Sequence, residues 1–197
     1  MIAILVNYGI YFYRKHRAFR RGWGDIWRGL WFSLIRFGLI RTEATPWHIR
    51  NWRFNNLAFT GTAGTSQSRE QLMELASWLI RGGGIVTLCH LIVGDIDELA
   101  EHEFREASSE NLKKYLRERV VEAFVGCSVV SDLHEGIITA LQIHGISGLE
   151  PNTALIGLSH KPDIRRDQFH LMRKMVVVDK SVLYLHYNEE RGYGRKK

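Results

Sequence analysis

This sequence contains little cysteine, and that shortage limits the kinds of structure it can build. Only two cysteines, Cys89 and Cys127, occur among its 197 residues, and both fall in runs typical of β-strands. Buried free thiols in a reducing compartment are the simplest interpretation, since nothing in the sequence requires the two to face each other in a disulfide. A disulfide-stabilised secreted domain is therefore not predicted.

Motifs for metal binding and for catalysis are also missing. The nine histidines have no metal-ligand spacing, and no CxxC, HxxxH or GxSxG sequence occurs. His90 is best interpreted as a core or strand-end residue. The cluster of Asp132, His134 and Glu135 fits a capped helix start. We therefore expect no catalytic residue, no metal and no cofactor, and a function other than that of an enzyme.

Acidic residues are scarce in the first quarter of the chain. Residues 1–53 carry ten Lys/Arg against two acids, whereas residues 54–197 carry 17 against 19. The net charge of +6 therefore belongs to the amino-terminal quarter. A nucleic-acid-binding domain would be expected to place basic residues on its folded part. The distribution favours anionic lipid headgroups as the partner and predicts no nucleic acid.

Residues 1–13 form an apolar run without charges. As a helix they would extend about 20 Å, less than the roughly 30 Å of a bilayer core. They are interpreted as the end of a membrane span or as an interfacial helix, with a buried core helix as the alternative. Charge follows this run instead of preceding it, so it is not a signal peptide, and the basic side is expected in the cytoplasm. The residues expected at the membrane surface are Arg14, Lys15, Arg17, Arg20 and Arg21.

Residues 14–53 form a basic, tryptophan-rich bridge that holds five of the six tryptophans. Gly22 and Gly24 predict a bend, and Asp25 is the expected N-cap of a helix over residues 26–40. Its apolar stripe needs a packing partner, which could be its own domain, a second copy or the membrane. The residues predicted to pack are Trp23, Trp27, Leu30, Trp31, Leu34 and Ile35. Asn51, Trp52 and Arg53 are expected to mark the start of the next domain.

Residues 54–188 alternate between strand and helix patterns, and residues 189–197 are expected to be disordered. Strands are predicted at residues 56–60, 85–93, 127–131, 153–158 and 182–187. Helices are predicted at residues 69–81, 97–124, 132–144 and 166–175, with Ser68 and Asp132 as N-caps and a break near residues 108–109. This alternation predicts an α/β fold with a parallel, doubly wound five-stranded sheet.

The loop after the first strand, GTAGTSQS, stands where doubly wound folds bind phosphate. It matches neither GxGxxG nor GxxxxGK[ST]. An ordinary strand-to-helix turn is therefore the preferred interpretation. A nucleotide-binding module similar to universal stress proteins is the alternative function. Its phosphate loop would consist of Gly61, Thr62, Gly64, Thr65 and Ser66.

Several short motifs occur together in the order found in one transporter family. They are Trp23-Gly24-Asp25, Asn51-Trp52-Arg53, a strand ending at Gly61, the segment 126–137 (GCSVVSDLHEGI), and residues 145–153 (GISGLEPNT). Over residues 20–160 the chain resembles the cytoplasmic C-terminal domain of cation–chloride cotransporters, which belong to the amino acid–polyamine–organocation transporter superfamily. Residues 23–53 are most similar to the potassium–chloride branch.

The resemblance implies a regulatory α/β domain similar to universal stress proteins, held on the cytoplasmic side of a membrane. It also implies a homodimer, with the helix over residues 26–40 crossing beneath the transmembrane domain of the same transporter. Chloride-coupled Na⁺ or K⁺ symport would belong to the full-length protein, and residues 1–13 would end its last membrane helix. One position departs from the family pattern, since Phe54 replaces the usual proline. The sequence after Gly157 also differs from universal stress proteins, because it lacks their ATP loop.

Overall fold

The computed structural model describes residues 23–46, 48–62, 66–95, 102–119, 121–159 and 161–186. The chain divides into two compact units, residues 1–47 and residues 48–197. The predictions for residues 1–13, for the basic cluster from Arg14 to Arg21 and for the tail lie outside the described residues. Among those that are described, no helix combines the length and hydropathy that crossing a membrane requires.

In the first unit the described residues contain one helix, α1, which spans Trp23–Ala44. It is longer at both ends than predicted. Asp25 lies within the first turn, so its predicted role as N-cap and the predicted bend at Gly24 are wrong. The helix continues past residue 40, and within its last turn the Thr42 hydroxyl donates to the Gly38 carbonyl at 2.9 Å.

The second unit contains five strands and four α-helices in its described part. The strands are β1 (Asn55–Phe59), β2 (Ile85–Val93), β3 (Phe124–Val130), β4 (Thr153–Gly157) and β5 (Ser181–Leu185). The helices are α2 (Ser66–Leu79), α3 (His102–Arg119), α4 (Leu133–Ile143) and α5 (Pro162–Val177). Short 3₁₀ turns span Ile49–Asn51, Thr60–Thr62 and Ile80–Gly82.

All strand pairs are parallel, and the strand order is β3-β2-β1-β4-β5. The predicted α/β fold with a five-stranded parallel sheet is therefore confirmed. Helices α4 and α5 pack on the face that carries Leu57 and Phe59. Helices α2 and α3 pack on the opposite face, around Ala58 and Leu88. Because β1 is central and covered on both sides, all five of its residues are buried.

The main error in the predicted boundaries lies between α3 and β3. Helix α3 ends at Arg119 and runs without a break through Ser108 and Ser109. Strand β3 begins at Phe124, where a helix end was predicted, because residues 124–130 pair along the length of β2. Strand pairing is a tertiary interaction, and here it overrides the local charge pattern that favoured helix.

The helix caps were predicted with mixed success. Asp132 is the N-cap of α4, and its carboxylate accepts the Glu135 backbone N–H at 2.8 Å. This hydrogen bond holds the pKa of Asp132 below its usual value. Ser68 is not an N-cap, because α2 already begins at Ser66. Helix α5 also begins earlier than predicted, with Pro162 in its first turn, where the missing N–H costs no hydrogen bond.

Candidate functional site

The strand order creates a topological switch point between β1 and β4. Chain connections leave these two adjacent strands in opposite directions, and ligands of doubly wound folds bind at the carboxyl ends of such strands. The loop after β1 contains the predicted phosphate-binding residues. The loop after β4 lies beside it, so the two loops together form the first candidate site.

The loop after β1 is held closely against the end of β2. A Cβ atom at Gly61 would lie 3.0 Å from the Leu91 carbonyl oxygen, so only glycine fits there comfortably. The Thr60 hydroxyl lies 3.5 Å from the Cys89 carbonyl oxygen and 3.4 Å from His90 Nδ1. Gly61 and Thr62 belong to the 3₁₀ turn and Ser66 opens α2, whereas Gly64 and Thr65 lie outside the described residues.

The loop after β4 is closed by the side chain of Gln168. Its Nε2 donates to the Gly157 carbonyl at 2.8 Å, and its Oε1 accepts the Ser159 backbone N–H at 3.0 Å. The Tyr184 hydroxyl donates to the Gln168 carbonyl at 2.7 Å, and burial raises the pKa of Tyr184 to about 12. We call this arrangement the Gln168 clamp. It holds the carboxyl end of the sheet through a buried amide.

The backbone N–H groups of the same loop donate hydrogen bonds to acceptors within the protein. The N–H groups of Leu158, Ser159 and Lys161 donate to Leu185 O, Gln168 Oε1 and Ser159 Oγ respectively. A phosphate site in a doubly wound fold uses such backbone groups as its donors. The geometry of this loop therefore supports a closed turn better than a nucleotide site.

The pKa of His90 is also shifted at this end of the sheet. Burial lowers its pKa below the ordinary value of 6.5, and the positive charge of Arg69 lowers it further. The neutral ring is therefore favoured next to Thr60. Burial also raises the pKa of the neighbouring Cys89 thiol to about 12, with a smaller contribution from Cys127. A thiol with so high a pKa is a poor nucleophile, which agrees with the predicted structural role of the cysteines.

The opposite end of the sheet is closed by a different amide, that of Asn152. Its Oδ1 accepts the Asn55 backbone N–H at 3.2 Å and the Thr153 hydroxyl at 3.0 Å. Its Nδ2 donates to the Arg53 carbonyl at 2.6 Å. We call this arrangement the Asn152 clamp. It ties the strand that begins the domain to the strand beside it.

The predicted domain-start residues lie next to the Asn152 clamp. Asn51 ends a 3₁₀ turn, and Trp52 packs edge-on against Phe54 with ring centroids 6.0 Å apart. Arg53 donates from its guanidinium to the Trp52 carbonyl at 3.0 Å and offers its own carbonyl to Asn152. The three residues themselves are exposed. Their described contacts are local, and the long-range contact is made through the Arg53 backbone.

The predicted packing residues all lie on α1. Five of them, whose side chains are described, are exposed by about half: Trp27 (53%), Leu30 (47%), Trp31 (60%), Leu34 (51%) and Ile35 (59%). Trp23 is the first residue of the helix. Phe32 and Phe37, each 67% exposed, add two aromatic rings to the six predicted packing residues. The helix therefore presents apolar surface over more of its circumference than one stripe.

Sequence analysis missed the residues that close the two ends of the sheet. Gln168 and Asn152 are single amides in a helix and in a turn, and such residues are usually exposed. One signal was available: Asn55 and Asn56 open a strand of otherwise apolar character, although asparagine is uncommon in strands. Among the described residues, no group of His, Cys, Asp or Glu side chains is arranged to hold a metal ion.

One comparison with known proteins identifies the chain's relatives. The family model of solute carrier family 12 matches residues 69–185, which is more than half of the chain. The match runs from the first turn of α2 to the last residue of β5. It therefore includes both helical layers, four of the five strands and the Gln168 clamp.

Proposed function

Because the chain belongs to solute carrier family 12, the cation–chloride cotransporters, we propose that it is the cytoplasmic regulatory and dimerisation domain of such a transporter. Residues 48–197 are the regulatory α/β domain in this proposal, and α1 is the dimerisation helix. Chloride-coupled movement of Na⁺ or K⁺ is assigned to the full-length transporter. The domain acts by binding more tightly to one transporter conformation than to another, which shifts their populations.

The observation that carries this proposal is the apolar surface of α1. Large apolar side chains at residues 27, 30, 31, 34 and 35 are each about half exposed in the single chain. A helix with so much exposed apolar surface gains free energy when a partner covers it, because this removes the surface from water. Trp27 and Trp31 are one helical turn apart, which places them side by side on that surface.

Two hydroxyl groups of α1 also fit a helix that is covered in the assembled protein. The Ser33 hydroxyl donates to the Gly29 carbonyl at 2.9 Å, and the Thr42 hydroxyl donates to the Gly38 carbonyl at 2.9 Å. These hydroxyl protons are satisfied by the chain's own backbone and need no water partner. Covering this surface therefore has a low cost in lost hydrogen bonds to water.

Dimerisation is tested by the molar mass of the full chain in detergent micelles, measured by light scattering. The double variant Trp27→Ala/Trp31→Ala is expected to weaken the dimer at least tenfold, because it removes two large side chains from the centre of the contact. Phe32→Ala is the matched control, since it removes an aromatic ring of similar exposure from another side of the same helix. A monomeric wild-type chain at all concentrations would refute the dimer.

The basic cluster is assigned to the anionic inner leaflet of the membrane. Each of Arg14, Lys15, Arg17, Arg20 and Arg21 would contribute roughly 1 kcal/mol near such a surface. The double variant Arg20→Glu/Arg21→Glu is expected to reduce binding to anionic liposomes and to reduce its dependence on salt. Arg173→Glu, on the exposed surface of α5, is the control. Binding that is insensitive to both salt and the double variant would exclude the lipid role.

A further inference from the structure

A cleft opens at the amino end of the sheet, on the face covered by α4. Its volume is about 570 Å³, within the range of small-molecule sites. The floor consists of the first residues of β1, β2 and β3, and the end of α4 forms one wall. Residues 145–151 form the remaining side. The cleft lies at the opposite end of the sheet from the predicted phosphate loop and uses none of its residues.

The walls of the cleft are mainly apolar. Ile85, Phe124, Ile143, Ile146 and Leu149 supply large side chains. Four of these remain substantially exposed: Phe124 at 67%, Ile143 at 75%, Ile146 at 60% and Leu149 at 40%. None of the side chains that line the cleft, all of them in the described part of the chain, belongs to Asp, Glu, Lys or Arg. An apolar cavity without charged side chains favours a neutral ligand with an apolar body.

Three polar side chains converge on the floor and wall. The Thr87 hydroxyl and His144 Nε2 lie 3.1 Å apart and satisfy each other. The Asn55 side chain donates weakly from Nδ2 to the Glu150 carbonyl at 3.4 Å. Asn55 is only 8% exposed, and within the described part of the chain its Oδ1 has no hydrogen-bond partner. The floor therefore holds a buried acceptor without a donor.

Asn55 lines the cleft and lies on the face of the sheet that α4 covers. Asn55 alternates with Asn56 along β1, so it shares a face with Leu57 and Phe59, which pack against α4 and α5. Thr87 lies on the same face, because it is two residues before Cys89 on β2 and Cys89 belongs to that face. The loop over the cleft is fixed by left-handed backbone at Gly145, Ser147 and Gly148, with φ of 91°, 55° and 78°. A Cβ atom at Gly145 would lie 2.7 Å from Leu149 O, so a residue with a side chain does not fit at this position.

We propose that this cleft binds a small neutral molecule that has an apolar ring or chain and an N–H donor, with Asn55 Oδ1 accepting that donor. The apolar body lies between Ile143 and Phe124. The donor reaches the floor and supplies the hydrogen bond that the protein lacks. This inference stands on the geometry of residues 55–151 and does not depend on the proposed dimer or on the lipid contact.

Benzamide is a suitable probe, because it combines an apolar ring with an amide N–H donor. N,N-dimethylbenzamide is the matched ligand without that donor. The experiment is an NMR titration of the isotope-labelled full chain in lipid nanodiscs. Benzamide is expected to bind with a dissociation constant on the order of 1 mM, with the largest shifts at residues 55, 87, 126 and 144. N,N-dimethylbenzamide is expected to bind at least fivefold more weakly.

Gly126→Leu tests the site without removing an existing side chain. A Cβ atom at Gly126 meets only Thr87 Cγ2, at 3.9 Å, so a leucine has room to grow into the cleft. It is expected to weaken benzamide binding at least tenfold and to leave the sheet folded, since glycine is a poor strand residue. Ser128→Leu is the control. It adds the same side chain to the same strand two residues further on, outside the lining of this cleft.

Asn55→Leu removes the acceptor and is expected to bring the affinities of the two ligands to a ratio of about one. Three results would overturn the proposal. They are shifts spread outside the cleft, equal benzamide binding by the wild type and Gly126→Leu, and equal affinity of the wild type for both ligands. The first and third need only the wild-type chain, so a poorly folded variant cannot leave the question open.

Discussion

The two ends of the parallel sheet are closed by the same kind of side chain with different results. At the carboxyl end the Gln168 amide uses both its donor and its acceptor on one loop, and it is only 5% exposed. At the amino end the Asn152 clamp is also satisfied, but two asparagines beside it are not. Within the described residues, Asn55 Oδ1 and both polar side-chain atoms of Asn56 have no partner.

This difference indicates which end is completed by the fold and which end is available to a ligand. A buried amide with all its hydrogen bonds rigidifies its surroundings, whereas a buried unpaired group costs about 1–3 kcal/mol. The carboxyl end, where doubly wound proteins commonly bind ligands, is the closed one here. The amino end retains the free-energy cost of the unpaired asparagine side chains, and it also has the cleft. The following predictions test this contrast, from the largest expected effect to the smallest.

Gln168→Leu is expected to have the largest effect, a loss of about 3 kcal/mol in the free energy of unfolding. It leaves the Gly157 carbonyl and the Ser159 N–H without their partner in a buried position. Urea denaturation of the full chain in detergent measures the change. Gln168→Glu keeps the acceptor for Ser159 but buries a carboxylate against the Gly157 carbonyl, so near neutral pH it should lose at least as much. A loss below about 1 kcal/mol in Gln168→Leu would show that the Gln168 clamp does not hold this loop.

Asn152→Ala is expected to cost about 1.5 kcal/mol, because the peptide groups it serves lie nearer the surface. It removes hydrogen bonds to the Asn55 N–H, the Thr153 hydroxyl and the Arg53 carbonyl. Urea denaturation of the full chain in detergent measures this loss of stability as well. Hydrogen exchange should show faster exchange of the Asn55 amide proton. If that proton stays as protected as in the wild type, the Asn152 clamp does not hold β1.

Asn56→Leu is expected to stabilise the domain by about 1 kcal/mol, whereas the two substitutions above destabilise it. Asn56 is 3% exposed and faces the layer of α2 and α3, with no partner for its amide in the described part of the chain. Leucine has the same number and branching of side-chain heavy atoms and no polar group to desolvate. The thermal midpoint should rise by several degrees. A fall would indicate that the amide has a partner in the assembled protein.

His90 is expected to make the smallest contribution to stability, and this contribution is lost at low pH. Because burial and then Arg69 lower its folded pKa below 6.5, the unfolded chain binds this proton more readily than the folded chain. Its stabilising contribution is therefore complete above pH 6.5 and is lost as the pH falls towards and below its folded pKa. His90→Gln should reduce the stability difference between about pH 7.5 and about pH 5. If the stability difference is the same in the wild type and in His90→Gln, the His90 ring is exposed to water in the folded protein.

Much of the fold could be predicted because its signals are local. The bounds of β2 were predicted correctly, since a nine-residue apolar run with no charge fits a strand buried on both faces. Asp132 was predicted as an N-cap because capping needs only residues three apart. The error at Phe124 has the opposite cause. Its strand conformation depends on Thr87, which is far away in the sequence.

The Gln168 and Asn152 clamps could not be predicted, because they also depend on contacts between distant parts of the sequence. Gln168 becomes buried only because α5 packs over the end of β4. Its neighbours in the sequence, Asp167 and Phe169, are exposed and give no sign of this. The apolar stripe of α1 was evident from its spacing, but its degree of exposure required coordinates. Whether the membrane or a second copy covers that stripe is the subject of the experiments proposed above.

The α/β alternation, the presence of five strands, the cap of α4 and the apolar character of α1 could all be inferred from the amino-acid sequence. These follow from periodicity and short-range hydrogen bonding, which act within a few residues. Only the tertiary structure decided that β1 lies at the centre of the sheet, and hence that Asn55 and Asn56 are buried. Strand order depends on contacts between distant parts of the chain. The cost of a buried amide therefore appears only when its surroundings are known.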